Sequence, residues 1–203
     1  MDAIHDQSAL RDLYGEINPL ALKKIQPRLD AHSRAFIALS PFLVVATSDG
    51  AGGCDASPRG DAPGFVVVLD DTKLLLPDRR GNNRVDSFDN IVNNPGIALI
   101  FLVPGIDETL RVNGKARIVT DAALLAATEA QGKTPKAGLL VSVEEAFFQC
   151  GKALKRSHLW DPAQHVARDR FPTLGKIIAE QTQQCSVAEA EQQIASDYVH
   201  KLY

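Results

Sequence analysis

Along the first forty residues, apolar positions recur at helical spacing. Leu20, Leu22 and Ile25 precede Pro27, and Leu29, Phe36 and Ile37 then keep one face apolar. Ser40-Pro41 ends this helical stretch, because the residue before a proline is driven out of the α region. From Phe42 the pattern shortens to β-branched runs. Phe42–Thr47 predicts a strand, Ser48-Asp49-Gly50 with Gly52-Gly53 predicts a turn, and residues 54–57 predict a returning strand. Phe65–Leu69 and Thr72–Leu76 flank Asp70-Asp71 and read as a hairpin of two largely buried strands. Next comes a short helix with Val85, Phe88 and Ile91 on one face and Asn82 or Asn83 as its cap, ended by Asn94-Pro95-Gly96. Ile97–Val103 is another strand, and Leu110–Val119 alternates around Gly114, where a bulge or bend is expected.

The last third reads as mostly helical. Asp121–Ala130 is rich in alanine and leucine, Leu139–Val143 predicts one more strand, and Glu144–Leu154 predicts a helix. Pro172-Thr173 opens a further helix, and Ser186 with Glu189 forms a capping box that opens another, running to Tyr198. Five or six short strands with one short helix among them disfavour a doubly wound parallel sheet, which needs a long helix between successive strands. The expectation is a mainly β protein: a small antiparallel barrel with added helices. It is read as one domain over 1–203, with an N-terminal helical segment (1–40), a barrel core (41–120) and a C-terminal strand-and-helix segment (121–203).

Composition adds mostly exclusions. The 203 residues are 45% hydrophobic and 23% charged, with a net charge of −3, which gives no basic footprint for nucleic acid. No apolar run approaches the length of a membrane span. Met1-Asp2-Ala3-Ile4-His5-Asp6 has neither a basic nor an apolar leader region, and Cys54, Cys150 and Cys185 form no CxxC pair. Both features lead us to expect a cytoplasmic protein with reduced thiols.

Several motifs fail on inspection. Gly50-Ala51-Gly52-Gly53 lacks the third glycine and the following helix of a dinucleotide loop, so a turn explains it better. His5, His32, His158, His165 and His200 are too scattered for a metal site, and none is expected. Cys150, beside Phe147 and Phe148, reads as a buried inert thiol.

What remains is polar density where strands end. Ser57-Pro58-Arg59-Gly60-Asp61 closes one strand, and Pro77-Asp78-Arg79-Arg80-Gly81-Asn82-Asn83-Arg84 closes another and opens the helix at Val85. Arginines and asparagines at a helix N-terminus make an anion site, since amide N–H groups, the helix dipole and guanidinium forks all favour a phosphate. The competing reading is a solvated loop whose arginines pair with Asp78, Asp86 and Asp89.

Taken in order, these segments resemble the flavin-binding core of the pyridoxamine 5′-phosphate oxidase-like family. The matching features run from Pro41 to Val119: strand Phe42–Thr47, then Asp55-Ala56-Ser57-Pro58-Arg59-Gly60, then Leu75-Leu76-Pro77-Asp78. They continue with Gly81-Asn82-Asn83-Arg84 before Ser87-Phe88-Asp89-Asn90-Ile91, the Asn94-Pro95 break, and Arg111-Val112-Asn113-Gly114-Lys115-Ala116. Phe147–Ser157 and Leu159-Trp160-Asp161-Pro162 resemble a bacterial oxidase-related subgroup.

The resemblance implies a six-stranded antiparallel split β-barrel, homodimeric, with flavin mononucleotide (FMN) in clefts at the subunit interface. Transferred residue by residue, Asn83 and Arg84, with Arg79, would hold the phosphate. Arg59 would reach phosphate or ribityl oxygens, Ser57 on the same strand end would also be a cofactor-binding residue, and Pro77 and Asp78 would face the isoalloxazine. Thr109 and Arg111 would lie near the ring's polar edge, and Lys155, Arg156, Ser157 and Trp160 would come from the second subunit. The implied activity is an oxidoreductase acting on a small organic substrate. The alternatives are a flavin-binding protein without turnover, or a barrel binding heme or a deazaflavin. The chain ends Asp197-Tyr198-Val199-His200-Lys201-Leu202-Tyr203, without the arginine–leucine–histidine segment of true pyridoxamine phosphate oxidases. Oxidation of vitamin B6 phosphates is therefore not expected.

Overall fold

The computed structural model describes residues 3–203; Met1 and Asp2, the start of the N-terminal stretch read above, lie outside the described residues. The helical first segment is three pieces: α1 (Gln7–Tyr14), α2 (Pro19–Lys23) and α3 (Ala31–Leu39). Only α3 contributes to the core, through Phe36 and Ile37, while Leu20 and Leu22 are exposed. Asp30 caps α3 through the Ser33 amide at 2.7 Å, and Ser40 ends it.

The barrel strands follow as β1 (Phe42–Ser48), β2 (Cys54–Gly60), β3 (Val67–Asp70) and β4 (Lys73–Pro77). After α4 (Asp86–Asn93) come β5 (Gly96–Val103) and β6 (Ile106–Val119). A short α5 (Ala122–Leu125) precedes β7 (Gly138–Gln149), and α6 (Lys152–Ser157), α7 (Leu174–Thr182) and α8 (Val187–His200) complete the chain. The strands form one antiparallel sheet of seven, in the order β2-β1-β5-β6-β7-β4-β3. The sheet curls without closing, because its edge strands β2 and β3 do not pair. Seven strands replace the expected six, and β3 starts at Val67, leaving buried Phe65 and Val66 in the preceding loop. As an edge strand, β3 is half-exposed, whereas β4 is buried.

Alternate residues of the strands face a single core: Leu43 and Val45 from β1, Leu99 and Phe101 from β5, Leu110 and Val112 from β6. The bulge near Gly114 is present, and its extra residue is Glu144 on β7, since Asn113 pairs with Glu145 and Gly114 with Val143. The inward positions of β7 therefore change parity, from Leu139, Val141 and Val143 to Ala146 and Phe148. That break makes 144–154 imitate helical spacing. The residues are a strand to Gln149, held by β6 on one side and by a Gln26–Ala146 bridge on the other. Likewise, 121–130 holds only α5 and a 3₁₀ turn, so the helix expected there is short.

Pro172-Thr173 and Ser186/Glu189 do open α7 and α8, the latter with both hydrogen bonds of the capping box in place. Cys150 is exposed, not buried, because the strand ends before it. No helix among the described residues is long and apolar enough to cross a membrane. The described residues hold no group of three or more histidine, cysteine and acidic side chains able to bind a metal.

Candidate functional site

Six of the residues selected from the sequence come together. Ser57, Arg59, Asp78, Arg79, Asn83 and Arg84 line one cavity of about 410 Å³ between β2, the end of β4 and the start of α4. The sequence reading missed Asp55 and Ser87, which belong to the same wall. Both lie inside the matched segments, but Asp55 points into the site only because β2 alternates, and Ser87 only because α4 begins at Asp86. The Ser87 hydroxyl donates to the Asp55 carboxylate at 2.6 Å, and Asn90 Nδ2 donates to Thr47 Oγ1 at 3.0 Å.

The mouth of α4 differs from expectation. Its cap is Val85, at φ 53°, with no side-chain cap bond, and Asn83 also has a left-handed backbone at φ 61°. Neither asparagine caps the helix; the Asn82 side chain instead accepts from the Arg84 amide at 3.1 Å. The Asp86 and Ser87 amides, with no acceptor among the described residues, are the free donors that a helix N-terminus offers to an anion. Left-handed backbone on a β-branched residue is strained, and such strain gathers at sites the fold holds in place for a purpose.

Electrostatics sharpen the picture. Arg59 Nη1 lies 3.4 Å from Asp78 Oδ1, while Arg59 Nε is buried with no partner. Burial raises the Asp78 carboxyl above its ordinary value, against the pull of Arg59. Arg84 pairs with Asp86 at 2.9 Å, and Arg79 Nε with Asp61 at 2.6 Å. The expected pairing with acids is thus present, but with Asp61 as a partner the sequence did not single out. The Arg84–Asp86 pair is exposed and worth little, so an incoming anion can replace Asp86 on Arg84.

The other transferred residues do not line this cavity. Pro77 ends β4, paired with Gly138. Thr109 is buried on β6, and the Arg111 guanidinium sits 5.1 Å from the centre of the Phe147 ring. Lys155 pairs with Asp107, the Ser157 hydroxyl donates to the Leu154 carbonyl, and Trp160 Nε1 donates to the Ile106 carbonyl at 3.0 Å. Arg156 lies in the exposed last turn of α6.

Comparison with known proteins finds no match among curated proteins. Among solved structures, HupZ of Group A Streptococcus shares 24% identity at a TM-score of 0.50, over 60% of this chain and 94% of its own. A Clostridium acetobutylicum protein related to a general stress protein, of the pyridoxine-phosphate oxidase family, shares 17% identity at 0.45, over 59% and 86%. The first likeness speaks to the fold alone. The family model described as pyridoxamine 5′-phosphate oxidase matches residues 29–150, from the residue before the α3 cap to the residue after β7. With that span covering the sheet and the cavity, the chain belongs to the pyridoxamine 5′-phosphate oxidase-like family of flavin-binding split barrels.

Proposed function

We propose that this protein binds FMN in the cavity at the start of α4, as a homodimer, and is an oxidoreductase for a small organic substrate. One observation carries the reading. Arg59 keeps a buried guanidinium nitrogen without a partner, in the same wall as the two free amides of α4. A buried donor left unpaired is costly, and a phosphate or ribityl oxygen is the kind of acceptor that removes the cost.

The donor set fits the cofactor. The Asp86 and Ser87 amides with Arg84 and Asn83 hold the phosphate, Arg59 and Ser57 bind oxygens further along the chain, and Asp78 lies toward the ring. Flavin supplies acceptance and donation of hydride, so the protein needs no nucleophile of its own. Its residues bind, orient and shield.

The outward faces of β1 and β5 carry Val44, Ile100 and Leu102, half-exposed, beside exposed Phe42. This apolar face supports a second copy as its cover. In that arrangement Lys155, Arg156, Ser157 and Trp160 complete the site from the partner. The three unpaired cysteines suit a reducing cytoplasm.

The test is an absorbance spectrum of the purified untagged protein, followed by the mass of any ligand released on denaturation. Flavin bands and the mass of the mononucleotide are expected. A colourless protein that takes up no added FMN overturns the reading and returns the arginines to a solvated loop.

A further inference from the structure

A second cavity, also about 410 Å³, shares Asp78, Arg79, Gly81 and Asn83 with the first. Its far wall is Arg80, Lys133, Lys136 and Tyr203. Among the described residues Arg80 and Lys136 take part in no salt bridge, and Lys133 donates to the main-chain oxygen of Tyr203 at 3.0 Å. The one acidic side chain of this lining, Asp78, already faces Arg59. The cavity therefore carries an excess of positive charge with an aromatic ring beside it.

The wall between the cavities is held from behind. Tyr203 Oη donates to Asp61 Oδ1 at 2.6 Å, and Arg79 Nε donates to Asp61 Oδ2 at 2.6 Å. The Asp61 side chain is 3% exposed. Burial alone would push its carboxyl up; hydrogen bonds from Tyr203, the Ala62 amide and Arg79 outweigh this and hold it below its ordinary value. Both carboxylate oxygens are thereby occupied, and Arg79 is gripped by Nε alone. Its terminal nitrogens have no partner among the described residues. A guanidinium held this way is locked in direction while its two-pronged end stays free for an anion.

We propose that Tyr203 and Asp61 are positioning residues for Arg79, and that the cavity they complete binds a small organic anion, with its charge on Arg79, Arg80 and Lys136. That this anion is the substrate rests on the flavin reading, because the cavity adjoins the cofactor's; that it binds does not.

The experiment is calorimetric titration of the flavin-loaded protein, and of the flavin-free protein, with benzoate and separately with inorganic phosphate. Wild type is expected to bind at least one. Lys136→Ala, which alters the second cavity alone, and Tyr203→Phe are each expected to weaken binding about three- to tenfold, the scale of one ordinary hydrogen bond. Arg79→Lys should weaken it as much as Arg79→Ala, because an ammonium cannot be held by one nitrogen and present two others. A structural role alone would lower the melting temperature of Tyr203→Phe and leave its anion affinity at the wild-type value; positioning lowers its anion affinity at temperatures where both proteins are fully folded. No binding of either probe, or binding indifferent to Tyr203 and Lys136, overturns the proposal. If the protein takes up no FMN yet binds benzoate in a Tyr203-dependent way, only the flavin reading fails. FMN uptake without anion binding leaves the flavin reading and removes this one.

Discussion

The hydroxyl of Ser87 and the carboxylate of Asp55 are bonded at 2.6 Å, which fastens the first turn of α4 to β2. Two more bonds continue the seam, from Asn90 to Thr47 at 3.0 Å and from Asn94 to Ser48 at 2.9 Å. The helix mouth is thus set by polar bonds to the hairpin as well as by Ile91 in the core. Ser87 is 1% exposed, so Ser87→Ala leaves Asp55 short of its partner. A loss of about 1.5–3 kcal/mol is expected, as for a hydrogen bond to a charged group. Urea denaturation checks it, and a loss below a few tenths would show that the seam does not hold the helix.

Arg59 and Arg84 stand on the same cavity but differ in burial. Their side chains are 23% and 73% exposed. A charged contact made in the less hydrated place is worth more, so Arg59→Ala should weaken FMN binding about ten- to a hundredfold and Arg84→Ala only a few-fold. Quenching of flavin fluorescence in a titration measures both. The reverse order would place the phosphate on the exposed rim.

How legible the molecule is from its sequence depends on where local pattern and tertiary contact agree. β1, β5 and the Ser186 box follow from β-branched runs and capping chemistry that no neighbour opposes. Glu144–Gln149 misleads because a single extra residue at Glu144 shifts the inward parity of β7, so strand alternation reads as helix. Propensity yields there to pairing with β6. At the site, segment matching finds Ser57, Arg59, Asp78, Arg79, Asn83 and Arg84. It cannot show that Asp61 and Tyr203, separated by most of the chain, meet on Arg79. Nor does it show Val85 at the helix cap, since a left-handed valine contradicts local preference and exists only because both flanks are fixed.

Gly114 tests the bulge. A Cβ there would run into the Ser142 carbonyl and crowd the Glu144 amide, both backbone groups of β7 that cannot step aside. Gly114→Ala should therefore cost about 3 kcal/mol or more, in the range of overpacked cores. The measurement is its urea midpoint, or its recovery in soluble form. A variant within 1 kcal/mol of wild type, on the order of an ordinary surface change, would mean that the bulge can slide.

Val85 offers the opposite sign. Its φ of 53° is a conformation that β-branched residues avoid and asparagine accepts, and its side chain is exposed. Val85→Asn should raise stability by about 1 kcal/mol, the cost of left-handed backbone for an ordinary residue. Thermal melting of the flavin-free protein reads this directly. An unchanged or lower melting temperature would place the strain elsewhere.

The Tyr203–Asp61–Arg79 contact has a pH window with two edges. Asp61 is held below its ordinary value of 3.8, so its stabilisation is present above that value and drains away as pH falls through the lower folded one. Tyr203 is held above its ordinary 10.0, chiefly by its bond to Asp61, so its share is complete below that value and lost as pH rises through the higher folded one. Asp61→Asn should therefore be less stable than wild type at neutral pH, by about 1–3 kcal/mol for the charged bonds removed. The gap should narrow on acidification below the ordinary carboxylate range, where wild type loses what the variant never had. Tyr203→Phe should show a smaller gap that narrows at both edges, on acidification as Asp61 takes up its proton and in strong alkali as Tyr203 loses its own. Urea midpoints across pH measure both. A gap in Asp61→Asn that persists unchanged into acid would mean that packing around the carboxyl, and not its charge, holds Arg79 in the wall between the two cavities.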